Sequence, residues 1–248
     1  MTKKQRNKDQ ERHYVEVFKE AFSGFPIGEL LADESQERPD VIVASAQGRI
    51  GIEVTRILHE PMKREESEGQ AMVDEARALY EKRGLPNLQV SVFFGAQPAF
   101  TRQNRKTFAA ALVELVTANI PARNDLADVE NCWDDADVFP FEIHSVSILR
   151  HPVLTRNYWT VPQAGWILEN FPQLLQERIA KKEARIRGYD TGCAALWLLV
   201  VAEHSGPSSF FEPSEATLAH TYTSSFDRIF FLELFKRKAF ELKLAELG

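Results

Sequence analysis

The chain has 248 residues, of which 44% are hydrophobic and 27% charged, and its 36 acidic and 30 basic side chains give a net charge of −6. These proportions are those of ordinary globular proteins and exclude a collagen-like, low-complexity or wholly disordered chain. The acidic balance argues against a protein that coats nucleic acid through overall positive charge, because that affinity grows with the number of phosphates neutralised. Any contact with nucleic acid must therefore be local.

The cysteines and the apolar runs indicate in which cellular compartment the protein is expected. Cys132 and Cys193 show no CxxC spacing, and the six histidines show no HExxH spacing, so neither a disulfide scaffold nor a zinc site is expected. The first residues are charged, and no apolar stretch of the kind found in secretion signals follows them. The longest apolar run, 193–202, is about half of the roughly 20 residues that a membrane-spanning helix needs. The sequence predicts a cytoplasmic protein without a membrane span.

Apolar periodicity and turn residues predict the secondary structure in chain order. The chain opens with an amphipathic helix over 10–22, followed by a hairpin of two β-branched runs around Ala46-Gln47-Gly48. The elements predicted after it are a helix over 63–83, a strand over 88–94, a helix over 105–119, an irregular inserted lobe over 120–170, a helix over 172–189, a strand over 194–202 and two strands near the C-terminus.

Three polar side chains share one face of the predicted hairpin. Its apolar face consists of Val41, Val43, Ile50, Ile52 and Val54. With Gln47-Gly48 as a two-residue turn, Asp40 lies opposite Thr55, and Glu53 is its diagonal neighbour at about 7 to 8 Å. A three-residue loop without a compensating bulge would instead put Asp40 on the other face. Two carboxylates at that separation can hold a Mg²⁺ or Mn²⁺ ion that keeps positions open for water and a phosphate oxygen. The pattern also fits a solvated sheet face that binds nothing.

A lysine interrupts the apolar stripe of the helix over 172–189. That stripe consists of Leu175, Ile179, Ile186 and Tyr189. Lys182 lies in its middle, where its ammonium either extends along neighbouring methylenes to water or projects into the cleft that holds the carboxylates. Together with Arg178, Lys181 and Arg185, it makes this helix the predicted local contact with nucleic acid, and a solvated basic face is the alternative.

Glu11 is a third acidic candidate. It falls on the same side of the first helix as Tyr14, Phe18 and Phe22, one turn before that apolar stripe begins. An acidic residue near a helix N-terminus is favoured by the helix dipole, which accounts for Glu11 without any ligand role. The alternative is that Glu11 adds a carboxylate to the pair on the hairpin.

The order of these residues resembles the signature of the PD-(D/E)XK nuclease superfamily. Pro39-Asp40 and Glu53-Val54-Thr55 are similar to the motif of uncharacterised bacterial members that carry Glu-x-Thr in place of Glu-x-Lys. A later run of residues is also similar to theirs, namely Ile179, Lys182, Arg185 and Tyr189. The resemblance covers the first helix, the hairpin and residues 175–235, and it leaves the middle of the chain unmatched.

The resemblance implies an α/β fold in which helices flank a mixed central β-sheet, as in restriction endonucleases, over a single domain 1–248 with an insertion at 120–170. It implies that Asp40 and Glu53 bind Mg²⁺ or Mn²⁺, assisted by Glu11 from the first helix. The activity implied is hydrolysis of phosphodiester bonds, in DNA ahead of RNA. A homodimer is one arrangement in which such nucleases cut both strands.

Thr55 departs from the superfamily pattern, because it stands where the usual lysine would be. A threonine hydroxyl cannot supply positive charge at a phosphate. Either Lys182 supplies that charge from the later helix while Thr55 orients water or a ligand, or catalysis is lost and the chain is a decayed nuclease fold that binds nucleic acid or protein. A hydrolase or transferase of another kind, or a purely structural partner, is a third interpretation.

Overall fold

A computed structural model of the chain describes residues 2–31, 39–95, 104–130, 143–162, 170–186, 192–204 and 206–245. The chain divides into two compact units, of which unit 1 comprises Met1–His59 with Gly165–Gly248 and unit 2 comprises Glu60–Ala164. Unit 2 therefore interrupts the sequence of unit 1. It begins earlier than the lobe predicted over 120–170, because the helix that follows the hairpin already belongs to it.

The helices and strands alternate along both units. In chain order they are α1 (Lys3–Ala21), β1 (Gly28–Leu31), β2 (Val41–Ser45), β3 (Gly48–Arg56), α2 (Glu60–Glu81), β4 (Gln89–Phe94), α3 (Arg105–Ala118), β5 (Asp125–Glu130), β6 (Ile143–Arg150), β7 (Tyr158–Thr160), α4 (Phe171–Glu183), β8 (Ala195–Ala202), a 3-10 turn (Pro207–Ser209), α5 (Glu215–Ala219), β9 (Thr221–Tyr222), β10 (Arg228–Glu233) and β11 (Lys238–Leu244). None of the helices in the described ranges combines the length and the apolarity that crossing a bilayer requires.

Unit 1 is built on a seven-stranded mixed sheet in the order β1-β2-β3-β8-β10-β11-β9. Its central strands β3, β8 and β10 run parallel, whereas β1, β2 and β3 pair antiparallel, as do β10 and β11. Side chains of α1 pack on one face of this sheet and side chains of α4 on the other. The predicted α/β class, with helices flanking a mixed central sheet, is confirmed.

The two faces of the sheet in unit 1 bury different side chains. The face under α1 contains the apolar face predicted for the hairpin, and Val41, Val43, Ile52 and Val54 are buried there. On the opposite face, Leu175 and Ile179 of α4 pack with Leu198 and Val200 of β8. Because β8 is covered on both faces, it is the continuous apolar run expected of a central parallel strand. α4 ends at Glu183, and Tyr189 of the predicted stripe lies outside the described residues.

Unit 2 has a four-stranded sheet in the order β5-β6-β4-β7. Side chains of α2 and α3 share one apolar core with alternate residues of β4 and β6, including Leu112, Val90 and Ile148. Large apolar side chains on other strand positions, such as Leu126 and Tyr158, are exposed. Unit 2 is thus a sheet with helices packed on one face, which positions no residue predicted for the site.

Candidate active site

The turn between β2 and β3 sets the register of the hairpin. Its two residues are Ala46-Gln47, and the predicted turn at Gln47-Gly48 is wrong. Gly48 has a φ of +117°, a conformation that glycine adopts without steric cost, so it follows the turn instead of forming its second residue. Val41 consequently pairs with Ile52, two positions away from the predicted register.

The shifted register brings the two predicted metal ligands closer together. A shift by two residues preserves the face on which each side chain lies, so Asp40, Glu53 and Thr55 remain on one face, the face covered by α4. The backbone N–H of Val54 donates a hydrogen bond of 2.8 Å to Asp40 Oδ2. Asp40 therefore lies across the strand pair from Glu53, and its predicted position opposite Thr55 is wrong.

Lys182 of α4 meets the hairpin at Glu53. Its Nζ lies 2.7 Å from Glu53 Oε1, and the Glu53 side chain is only 4% exposed. The sequence left open whether this ammonium extends to water or projects towards the carboxylates, and in the structure it lies against the carboxylate of Glu53. A charge-assisted hydrogen bond of this length, largely removed from water, holds the helix and the strand in a defined relation.

The second oxygen of Glu53 has no such contact. Glu53 Oε2 is buried and accepts no hydrogen bond from the residues that the structure describes. An unpaired buried oxygen of an ionised carboxylate is costly, since it has lost its water without gaining a donor. Glu53 Oε2 is therefore an oxygen atom that is suited to ligate a metal cation.

Glu11 belongs to the same electrostatic cluster. Burial raises the pKa of Glu11, with Lys182 lowering it and Glu53 raising it. Burial also raises the pKa of Asp40, to about 7, with further increases from Glu53 and Glu11 and a decrease from Lys182. When all three carboxyls are ionised, they exceed the single ammonium by two negative charges, which equals the charge of one divalent cation.

The remaining predicted residues differ in what surrounds them. Thr55 is 8% exposed and pairs with Val200 of β8, so its hydroxyl lies on the face of the carboxylates without adding charge. Arg178 is partly buried, and its Nη2 donates to the carbonyl of Leu58 at 3.5 Å. Lys181 and Arg185 are exposed. Lys181 precedes Lys182 on α4, whereas Arg185 follows the end of the helix at Glu183.

The carboxylates of Asp40 and Glu53 are the residues of this site that could bind Mg²⁺ or Mn²⁺. Among the described residues, no group of three or more His, Cys, Asp or Glu side chains is arranged to hold a metal ion. Magnesium, however, commonly takes one or two protein carboxylates and keeps several water ligands. Asp40 and Glu53, with the unpaired Oε2 and the excess of two negative charges, have the chemistry that such an ion requires.

Comparison of the chain with known proteins gives no relative: no family model, no curated protein and no solved structure matches it. The relation to the PD-(D/E)XK nucleases therefore remains a hypothesis that depends on Pro39-Asp40, Glu53-Val54-Thr55 and Lys182 of this sequence.

A second polar cluster adjoins the first and was not identified from the sequence. Glu203, directly after β8, accepts hydrogen bonds from the hydroxyl of Tyr14 and, at 2.9 Å, from Gln10 Nε2. Arg56 Nη1, at the end of β3, lies 3.5 Å from Glu203 Oε2. Burial and Glu203 together raise the pKa of Tyr14. The available signal was that Arg56 and Glu203 end two apolar runs, since the carboxyl ends of adjacent parallel strands gather polar residues.

A further buried glutamate, Glu233, ends β10 and is 3% exposed. Lys236 Nζ lies 3.4 Å from its Oε1, without the geometry of a hydrogen bond, and donates instead to Glu212 Oε1 at 2.6 Å. Glu233 precedes the turn between β10 and β11, and Lys236 lies within that turn. The contacts of Glu233 are therefore local, unlike those of Glu53, which meets a helix 129 residues away in sequence.

Proposed function

We propose that the protein is a metal-dependent nuclease that hydrolyses phosphodiester bonds of nucleic acid, with DNA as the first substrate to test. The observation that carries the proposal is the 2.7 Å contact between Lys182 Nζ and Glu53 Oε1. It supports the idea that Lys182 replaces the lysine missing at Thr55, because it brings an ammonium to the carboxylate that the motif requires.

Asp40 and Glu53 are the proposed ligands of Mg²⁺ or Mn²⁺, and Glu11 adds negative charge that favours the divalent ion over a monovalent one. When bound, such an ion polarises the phosphoryl group and lowers the pKa of a coordinated water. The N–H of Val54 orients Asp40, because it donates to Oδ2 at 2.8 Å. The excess negative charge of the cluster, together with burial, is consistent with a carboxylate that is ionised fully only when a cation is present.

Lys182 has two proposed tasks in hydrolysis. Its ammonium orients Glu53 before the substrate binds, and it stabilises the negative charge that develops on the phosphate oxygens in the transition state. The buried hydroxyl of Thr55, on the same face, is proposed to orient the attacking water or a ligand. In this proposal Lys182 supplies the positive charge and Thr55 orients the water or ligand, whereas a lysine at position 55 would do both.

The substrate is proposed to lie along the basic face of α4. Lys181 is exposed on α4, Arg178 lies one turn earlier, and Arg185 is exposed two residues after the helix ends. Cations on and directly after one helix give a local phosphate contact in a protein whose net charge is −6. Cutting both strands of a duplex calls for two sites, so the proposal extends to a homodimer acting in the cytoplasm, and analytical ultracentrifugation of the purified chain tests the dimer.

Thr55 favours a second candidate function, a decayed nuclease fold that binds nucleic acid or protein without cleaving. It is an uncharged residue at the position of a catalytic lysine, and a fold can persist after its catalytic set has changed. In that case the pair of Lys182 and Glu53 is a structural ion pair and no divalent cation is needed.

Cleavage assays on purified protein separate the two functions. Supercoiled plasmid, linear DNA and RNA are incubated with Mg²⁺, Mn²⁺ or EDTA, and wild type is compared with Glu53→Gln and Lys182→Ala. We expect cleavage that requires the metal and falls by about 10² to 10³-fold in both variants, the range seen when a charge-stabilising group is removed.

Glu233→Gln is the matched control, since it neutralises a glutamate buried in the same sheet but remote in sequence from the motif. It should retain cleavage, and thermal melting should show all three variants folded at the assay temperature. Metal-independent binding by a wild-type protein that cuts none of the three substrates would contradict the nuclease proposal and support the binding module.

A further inference from the structure

Arg56 lies beside the proposed catalytic residues but faces the other way. It follows Thr55 at the end of β3, so its side chain lies on the α1 face of the sheet, whereas Glu53 and Thr55 face α4. Its side chain is 48% exposed. A guanidinium carries five N–H donors, more than one carboxylate contact at 3.5 Å engages, and its planar fork matches the geometry of a phosphate.

Glu203 restricts where this guanidinium can go. Its carboxylate is held by the hydroxyl of Tyr14 and by Gln10 Nε2, both on α1, and its other oxygen faces Arg56 Nη1. The Glu203 side chain is 15% exposed. A partly buried carboxylate fixed by two donors is an oriented anchor, so it holds Arg56 at one terminal nitrogen while about half of the Arg56 side chain remains exposed to water.

The α1 face therefore presents positive charge near Glu11, one carboxylate of the proposed site. Burial raises the pKa of Glu11, and Lys182, Lys8 and Arg56 partly oppose that rise, so Glu11 lies within electrostatic range of cations on both faces. Lys8 lies one helical turn before Glu11 on α1. Basic residues on both faces and acidic residues between them suit a polyanion that crosses the site, with a metal ion at the carboxylates and backbone phosphates on either side.

We propose that Arg56 binds a backbone phosphate of the nucleic acid on the α1 face of the site, with Glu203 as the residue that positions its guanidinium. This inference rests on the proposed nuclease function and extends it, because it assigns the path of the substrate strand from the basic face of α4 to the end of β3. The ligand group is a phosphodiester, so binding is independent of base sequence and sensitive to salt.

Binding of a fluorescein-labelled 20-base-pair duplex, followed by anisotropy in Ca²⁺ at several NaCl concentrations, tests the site, with gels to show that the duplex stays intact. Arg56→Ala should weaken binding by about 5- to 10-fold and reduce the slope of log affinity against log salt by about 1. Arg56→Lys should keep the slope but bind more weakly than wild type, because lysine lacks the planar fork. Glu203→Gln should weaken binding by about 2- to 3-fold with the slope unchanged.

Arg49→Ala is the matched control, since Arg49 is an exposed arginine at the opposite end of the same strand, about 23 Å away at 3.3 Å per residue. It should bind like wild type, and thermal melting should show every variant folded. Unchanged binding by Arg56→Ala, or equal losses in Arg56→Ala and Arg49→Ala, would overturn the site. Cleavage that depends on Glu53 in either case would leave the nuclease proposal standing, whereas a wild type that neither binds nor cuts DNA would remove both.

Discussion

Unit 1 and unit 2 bury polar side chains in different ways. In the described part of unit 2, the buried polar residue is Asn157, whose amide oxygen accepts a hydrogen bond of 2.9 Å from the backbone N–H of Leu88. Unit 1 buries two glutamates, Glu53 and Glu233, and each has an oxygen that accepts no hydrogen bond from a described residue. Unit 2 also leaves two buried nitrogens, Arg105 Nε and Trp159 Nε1, without a hydrogen-bond partner among the described residues. The units therefore differ in the kind of atom left unpaired, because in unit 1 these atoms are carboxylate oxygens.

The difference indicates where the protein has kept an interaction that its own stability does not favour. A buried ion pair contributes little to stability compared with apolar side chains of the same volume, because both charges lose water. The proposed metal binding thus explains the pair of Lys182 and Glu53, with Asp40 and Glu11 nearby, better than a stabilising role does. Substitutions in each unit test the contrast between a unit that is proposed to carry the chemistry and a unit that only packs.

Lys182→Ala should have the largest effect. Glu53 would be left buried and unpaired, so we expect the free energy of unfolding to fall by about 3 kcal/mol, in addition to the loss of cleavage. Urea denaturation measures the first quantity. Arg83→Ala, which removes an exposed ion pair with Glu114 in unit 2, should leave the denaturation midpoint unchanged. Equal midpoints for the two variants would show that losing the buried ion pair of unit 1 costs no more stability than losing the exposed ion pair of unit 2.

Leu112→Ala tests whether unit 2 only packs. Leu112 is fully buried in the apolar core of unit 2, and its truncation should lower the free energy of unfolding by about 3 kcal/mol. The affinity for Mn²⁺, measured by isothermal titration calorimetry at a temperature where the variant is folded, should remain that of wild type, because Asp40 and Glu53 belong to unit 1. A weakened affinity would mean that unit 2 also supports the site.

The pH dependence of stability should carry a signature of Asp40. Its pKa is raised from the usual 3.8 to about 7, so the folded protein binds this proton more tightly than the unfolded chain does. The resulting stabilisation is fully present below about pH 4 and is lost as the pH rises towards 7. Over that interval, wild type should lose about 3 kcal/mol more than Asp40→Asn in urea denaturation. Parallel curves for the two proteins would contradict the raised pKa.

Mn²⁺ should reduce this difference between wild type and Asp40→Asn. A bound cation favours the ionised carboxylate, so the proton of Asp40 is released on binding and affinity for Mn²⁺ should increase as the pH rises through about 7. Calorimetry in two buffers of different ionisation enthalpy measures the protons released.

The smallest effects should come from two glycines, one in each unit. Gly48 has a φ of +117° and Gly84 a φ of +65°, and alanine at either position should cost about 1 kcal/mol. Gly48→Ala should also weaken Mn²⁺ binding by about threefold, since the turn sets the register of Asp40 and Glu53. Apart from its chain neighbours, no described residue has an atom within 4 Å of a Cβ at Gly84, so Gly84→Ala should bind Mn²⁺ normally. Equal Mn²⁺ affinities for both variants would show that the turn at Gly48 does not affect metal binding at the site.

Local patterns predicted much of unit 1. The alternation of apolar residues over 41–54 predicted the buried face of the hairpin, and the run over 194–202 predicted the central strand, because burial on one or both faces leaves a direct trace in residue order. The turn was harder, since both Ala46-Gln47 and Gln47-Gly48 are two-residue candidates that put Asp40 on the same face. Only the pairing of the strands decided between them.

Long-range contacts left no such trace. Arg56 and Glu203 are far apart in sequence and meet because β3 and β8 pair in parallel, with Arg56 opposite Val201. The limits of unit 2 were missed for a related reason. Its helix α2 has the same amphipathic pattern whether it packs on the sheet of unit 1 or on its own sheet, and residue order does not state which partner it has.

By itself, the sequence determined that Glu53 and Thr55 share a face, because alternation along a strand is a local property of the backbone, whereas the face of Asp40 depended on the length of the turn. It also determined that Lys182 interrupts an apolar stripe, because helical periodicity is equally local. Only the tertiary structure decided that these features meet. The ammonium of Lys182 reaches Glu53 because α4 lies over β8 through Leu175 and Ile179, and the position of a helix on a sheet depends on side-chain packing between distant segments.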